Sequence, residues 1–79
     1  MAIEKISVRQ VKAARALLDW SQADLAAASG LGVATIARTE AAEGFLEGRG
    51  KAPGMIRAAL ERAGVTFTNG HEPGVSLKA

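Results

Sequence analysis

The sequence predicts a mainly α chain of four helices closed by a short C-terminal β hairpin or strand. Three observations predict it. Helix starts are written twice in the same chemistry, Ser7 followed by Gln10 and Ser21 followed by Asp24, where a hydroxyl caps the backbone three residues on and the later side chain reaches back. Apolar residues then recur at spacings of three and four, as in Val11, Ala14 and Leu18 or in Ile56, Ala59, Leu60 and Ala63. After Gly64 the period falls to two in Val65-Thr66-Phe67-Thr68, and it does so again in Val75-Ser76-Leu77.

Taken in order, the capping box at Ser7 starts the first helix near Val8, and it runs to about Asp19. Trp20, between the first two helices, reads as a packing anchor. The second helix occupies roughly 22–29 with Leu25 and Ala28 inward, and Gly30 ends it and permits a tight corner. Gly32 stands where the third helix, roughly 33–42, begins. Ile36 is its large inward residue, which leaves Val33, Ala34, Thr35 and Arg38 for other faces. Three glycines within 44–50 make 43–52 a loop, with Phe45 and Leu46 tucked against the core. Pro53 suits the first turn of a fourth helix over 53–63, whose apolar face is Met55, Ile56, Ala59, Leu60 and Ala63. In the tail, Asn69-Gly70 is a turn signal and Phe67 is expected in the core. A lone hairpin is marginal in water, so this one must lean on the helices or pair with the same segment of a second copy.

Of the 79 residues 48% are hydrophobic, but 17 are alanines, which favour helix and bury little area each. A chain this small buries only ~60% of the surface that its unfolded form exposes, so a partner subunit is expected to add stability. With no cysteine, disulfides and thiolate metal sites are excluded. No apolar run approaches the ~20 residues that span a bilayer, and Met1-Ala2-Ile3-Glu4-Lys5 lacks a signal-peptide core, so a soluble, cytoplasmic protein is expected.

A net charge of +2 is too mild to identify a nucleic-acid binder by itself. Its distribution says more. Lys5, Arg9, Lys12 and Arg15 fall in an acid-free stretch at spacings of three and four, a stripe that could lie near a phosphate backbone or be a solvated face opposite Val11, Ala14 and Leu18.

Residues 21–38 combine these signals as two short helices joined by a glycine-containing turn, the layout of a helix-turn-helix DNA reader. Residues 8–64 resemble the Cro/repressor-type (XRE) helix-turn-helix family of small prokaryotic and phage regulators. The resemblance rests on Val11-Lys12-Ala13-Ala14-Arg15-Ala16-Leu17-Leu18, on Trp20-Ser21-Gln22-Ala23-Asp24-Leu25-Ala26, and on Ala34-Thr35-Ile36-Ala37-Arg38 followed by Glu40. It implies a four-helix lambda-repressor-like domain over 1–64, with 65–79 as a strand tail that serves dimerisation. Three departures from the family pattern stand out. Gly32 and Val33 replace the usual polar residues, Thr39 stands where leucine is common, and the stretch 41–52 is long.

If the domain docks as its relatives do, the third helix lies in the major groove and its early outward residues meet base edges. Arg38 is able to hold a guanine or a phosphate, Thr35 a base edge or a thymine methyl, and Val33 and Ala34 offer apolar contact. Arg38 could instead pair with Glu40 or Glu43, and Val33 could be buried. Gln22 resembles the family residue that contacts phosphate and braces the recognition helix, and Ser21 adds a hydroxyl at a helix N-terminus. Thr39, Arg49 and Lys51 flank the same surface, the last two in a loop that could also be plain linker.

An enzyme is not expected. His71 is the only histidine and lies in a Gly- and Pro-flanked turn, and Gly44, Gly48 and Gly50 are not followed by the Lys-Ser/Thr of a phosphate-binding loop. No cofactor and no metal are expected either. The function that follows is sequence-specific binding of double-stranded DNA by a homodimeric transcriptional regulator, most simply a repressor at an inverted-repeat operator. Two alternatives share the scaffold: the antitoxin of a toxin–antitoxin pair, and a protein-interaction module that has lost DNA binding.

Overall fold

A computed structural model of the chain describes residues 6–44, 46, 51–68 and 74–78. Four helices, α1 (Val8–Leu18), α2 (Gln22–Ser29), α3 (Val33–Ala41) and α4 (Ala52–Arg62), precede two strands, β1 (Val65–Thr68) and β2 (Gly74–Leu77). Mainly α with a terminal hairpin is the predicted class.

Both capping boxes form. Ser7 Oγ accepts from the Gln10 backbone N–H at 3.0 Å while Gln10 Oε1 accepts from Ser7 N–H at 2.7 Å, and Ser21 and Asp24 repeat the exchange at 3.0 and 2.9 Å. The helices end differently. Gly30 closes α2 in the left-handed region at φ 77°, whereas α1 closes one residue before the expected end, on Asp19 at φ 58°. A short polar side chain tolerates that conformation better than most. Pro53 occupies the second position of α4, so that helix starts one residue early at Ala52.

The core gathers one stripe from each helix: Val11 and Ala14, Leu25 and Ala26, Ile36, then Ile56, Ala59 and Leu60. Leu18, Trp20, Ala28 and Leu31 pack against it partly buried. Leu46 is buried as the sequence suggests, and its N–H donates to Ile6 O while Val8 N–H donates to Gly44 O, which ties the chain before α1 to the segment after α3. Phe45 lies outside the described residues, as do Lys5, Arg49, His71 and the Asn69-Gly70 turn.

The strands pair antiparallel in the register Val65↔Leu77, Thr66↔Ser76, Phe67↔Val75 and Thr68↔Gly74. Val65 and Phe67 face the core and Thr66 and Thr68 face outward, which is the period-two pattern read from the sequence. The hairpin therefore leans on its own helices. Gln10 fastens it: its Nε2 donates to Thr68 O at 2.8 Å and to Gly74 O at 3.0 Å, so one side chain caps α1 and holds both strands. Both Gln10 amide hydrogens are thus used on carbonyls of one facing pair of the hairpin, Thr68 and Gly74.

Candidate nucleic-acid interface

The site is built on α3 and on what holds it. Ile36 and Glu40, four residues apart, share the inward side of the helix. A carboxylate on that side would be costly if unpartnered, and Glu40 has only 3% of its side chain exposed. Arg15 of α1 meets it with two parallel bonds, Nε to Oε2 at 2.7 Å and Nη2 to Oε1 at 2.7 Å, the bidentate geometry that makes guanidinium–carboxylate pairs strong. Gln22 at the start of α2 adds Nε2 to Oε1 at 3.1 Å, and Arg15 Nη1 also donates to Trp20 O at 2.8 Å. The Arg15–Glu40 pair thus joins α1, α2, the corner between them and α3. Among the described residues no buried side-chain nitrogen or oxygen is left without a partner.

The electrostatics follow the geometry. Burial by itself would push the Glu40 carboxyl up, but the hydrogen bonds from Arg15 and Gln22, with the charges of Arg15 and Lys12, hold it below the usual carboxylate range. The bond to Glu40 holds the Arg15 guanidinium above its ordinary value against the desolvation it suffers. Both groups stay charged at neutral pH.

This network revises the reading of the basic stripe. Arg9 and Lys12 are exposed on α1, but Arg15 is turned inward onto Glu40. It also takes away Glu40, one of the two acids that Arg38 could have paired with. Arg38 is exposed and its nearest polar contact is a long one, Nη2 to Thr35 Oγ1 at 3.5 Å. Val33 is not buried: half of it is exposed, more than any other large hydrophobic side chain among the described residues.

Gly32 caps α3 without a side chain, and Val33, Ala34, Ala37, Arg38 and Ala41 form a continuous exposed arc along the helix. Thr35 and Thr39 sit half-buried at the margin of that arc. Ser21 is exposed at the N-terminus of α2, where its hydroxyl already accepts from Asp24 N–H and the Asp24 carboxylate lies beside it. The geometry of Gln22 is that of a brace: one of its two amide hydrogens is held by Glu40. Lys51 is exposed at the start of α4 and lines a groove with Ser29, Met55 and Arg62, to which no α3 residue contributes.

Residues 11–44, which run from α1 through the end of α3, match the model of the helix-turn-helix family. The segment is a helix-turn-helix domain of the Cro/repressor (XRE) type. Comparison with curated proteins and with solved structures gives no match. The helix-turn-helix assignment makes α2 and α3 the paired helices, α3 the second of the two, and supports a DNA-binding regulator in general. Among the described residues no helix is long and apolar enough to cross a membrane.

Sequence reasoning noted Glu40 as part of the family pattern and missed its place at the centre of the site. The signal was present, since Glu40 stands one helical turn after Ile36 and so on the same inward side.

Proposed function

We propose that the chain is a sequence-specific, double-stranded-DNA-binding transcriptional regulator that works as a dimeric repressor on an inverted-repeat operator. The observation that carries the reading is the Arg15–Glu40–Gln22 network, which fixes α3 from its inward side and leaves the opposite arc free for a groove. In this reading Arg38 and Thr35 supply polar contacts to base edges, and Val33 and Ala34 supply apolar ones. Ser21, Thr39, Arg49 and Lys51 meet phosphate, with Arg9 and Lys12 on the same electrostatic footprint. Gln22 positions α3 through Glu40 and reaches phosphate only with the hydrogen that this bond leaves over.

The DNA-binding part is 1–64, and 65–79, which packs on it as part of the same core and not as a separate domain, serves to bring two copies together. Pairing of two tails about a two-fold axis sets two α3 helices one helical turn of DNA apart, ~34 Å, which an inverted repeat requires. With both strands already packed on their own helices, the contact between copies uses the outer edge of the hairpin and Leu77, which is 38% exposed.

A second reading, a protein-interaction module without DNA binding, is favoured by the small share of hydrogen-bonding groups on the α3 arc. Salt decides between them. Affinity for duplex DNA should fall with rising salt along a log–log slope set by the phosphates contacted, as followed by anisotropy of a labelled duplex. Absence of duplex binding at any salt would leave the interaction module.

A further inference from the structure

The exposed arc of α3 has an unusual chemistry for a helix assigned to a groove. Of Val33, Ala34, Ala37, Arg38 and Ala41, only Arg38 can donate a hydrogen bond from its side chain. Gly32 adds no side chain at the helix start, and no atom lies within 4 Å of where a Cβ would stand there, so the surface is open as well as apolar. Thr35 is half-buried, and its hydroxyl lies against Arg38. In the major groove, apolar side chains have one distinctive partner on base edges, the C5-methyl group of thymine.

We infer that Val33, Ala34 and Ala37 read thymine C5-methyl groups in the major groove, so that each half-site is recognised by methyl contacts anchored by a single arginine. The inference rests on the DNA-binding reading above and names the class of sequence that the site takes. Geometry limits where those thymines lie. Val33 and Ala37 are four residues apart, roughly 6 Å along the helix axis, which spans about two base-pair steps of 3.4 Å. The methyl groups therefore fall within a run of about three base pairs beside the base that Arg38 contacts. Methyl-bearing steps are discriminated without any donor on α3, which reconciles a donor-poor helix with sequence specificity.

The test uses duplexes selected by the full chain from a random DNA pool, resynthesised with deoxyuridine for thymidine one position at a time. Removing one contacted methyl is expected to weaken binding about fourfold, the equivalent of about 0.8 kcal/mol for one buried carbon. In Val33→Ser, an exposed substitution that leaves the core untouched, that penalty should disappear at the position Val33 reads. A selected duplex that tolerates uracil everywhere would overturn the methyl reading while leaving DNA recognition in place. A penalty of equal size in Val33→Ser, Ala34→Ser and Ala37→Ser would also overturn it, because the loss would then arise from duplex shape. No enrichment from the pool would overturn the DNA reading itself, and the methyl reading with it.

Discussion

Removing Arg15 breaks the network that holds α3 at its one cation. Arg15→Ala strands a carboxylate with 3% of its side chain exposed, keeping only the Gln22 amide and the charge of Lys12, and it also frees Trp20 O. Breaking one side of such a buried pair costs about 3–5 kcal/mol. A chain of this length carries roughly 4–12 kcal/mol in total, at 0.05–0.15 kcal/mol per residue, so the variant stands close to unfolding. Glu40→Gln should cost less, about 1.5–2.5 kcal/mol, because the stranded guanidinium is one-fifth exposed and water can reach it. Arg15→Met combined with Glu40→Met removes both charges together. That double variant should lose less than the sum of the two single losses by about 2 kcal/mol or more. Urea unfolding followed by the fluorescence of Trp20, the single tryptophan, measures all of them. Single losses near 0.5 kcal/mol that simply add would show an ordinary surface pair and refute the claim that this network fixes α3.

Further expectations test other parts of the fold. Because the folded Glu40 carboxyl sits below its unfolded value of ~4.3, its contribution is complete above that value and is lost as pH falls through the folded one. Stability should therefore decline below about pH 4, and Glu40→Gln should flatten that decline in unfolding midpoints taken from pH 3 to 7. Gln10→Glu keeps an acceptor for the α1 cap but loses both donors to the hairpin, so amide exchange should quicken in β1 and β2 well before α3. Arg38→Ala should abolish discrimination between a selected duplex and a random one while shifting stability by no more than ~0.5 kcal/mol, since its side chain is exposed. Leu77→Glu should give a monomer in sedimentation. Ending the chain after Gly64 would be a poorer test of the dimer, because it strips the buried Val65 and Phe67 from the core.

What was legible in the sequence was local. Ser7 with Gln10, Ser21 with Asp24, and Gly30 each act within a few residues, and they placed the helix starts and the corner correctly. The alternation over 65–68 likewise carried its own burial pattern. What was not legible depends on distant partners. The second role of Gln10 joins residues 58 and 64 positions away, and Arg15 finds Glu40 across 25 positions. Periodicity alone puts Arg15 on the edge of the solvated face and cannot say which way its guanidinium turns. Val33 was open between two readings, an outward residue or a buried one, because β-branched apolar chemistry fits both, and the helix start leaves it exposed. Boundaries moved by a residue where the chain had two equivalent choices, at Ala52 before Pro53 and at Gly74 before Val75.

The central claim is that the outer arc of α3 is the surface that meets DNA. Backbone amide shifts recorded while a selected duplex is titrated into the labelled protein test it most directly. The account predicts the largest changes from Val33 to Arg38, with smaller ones at Ser21 and Gln22. Changes centred on the hairpin or on α4, with α3 unmoved, would contradict it.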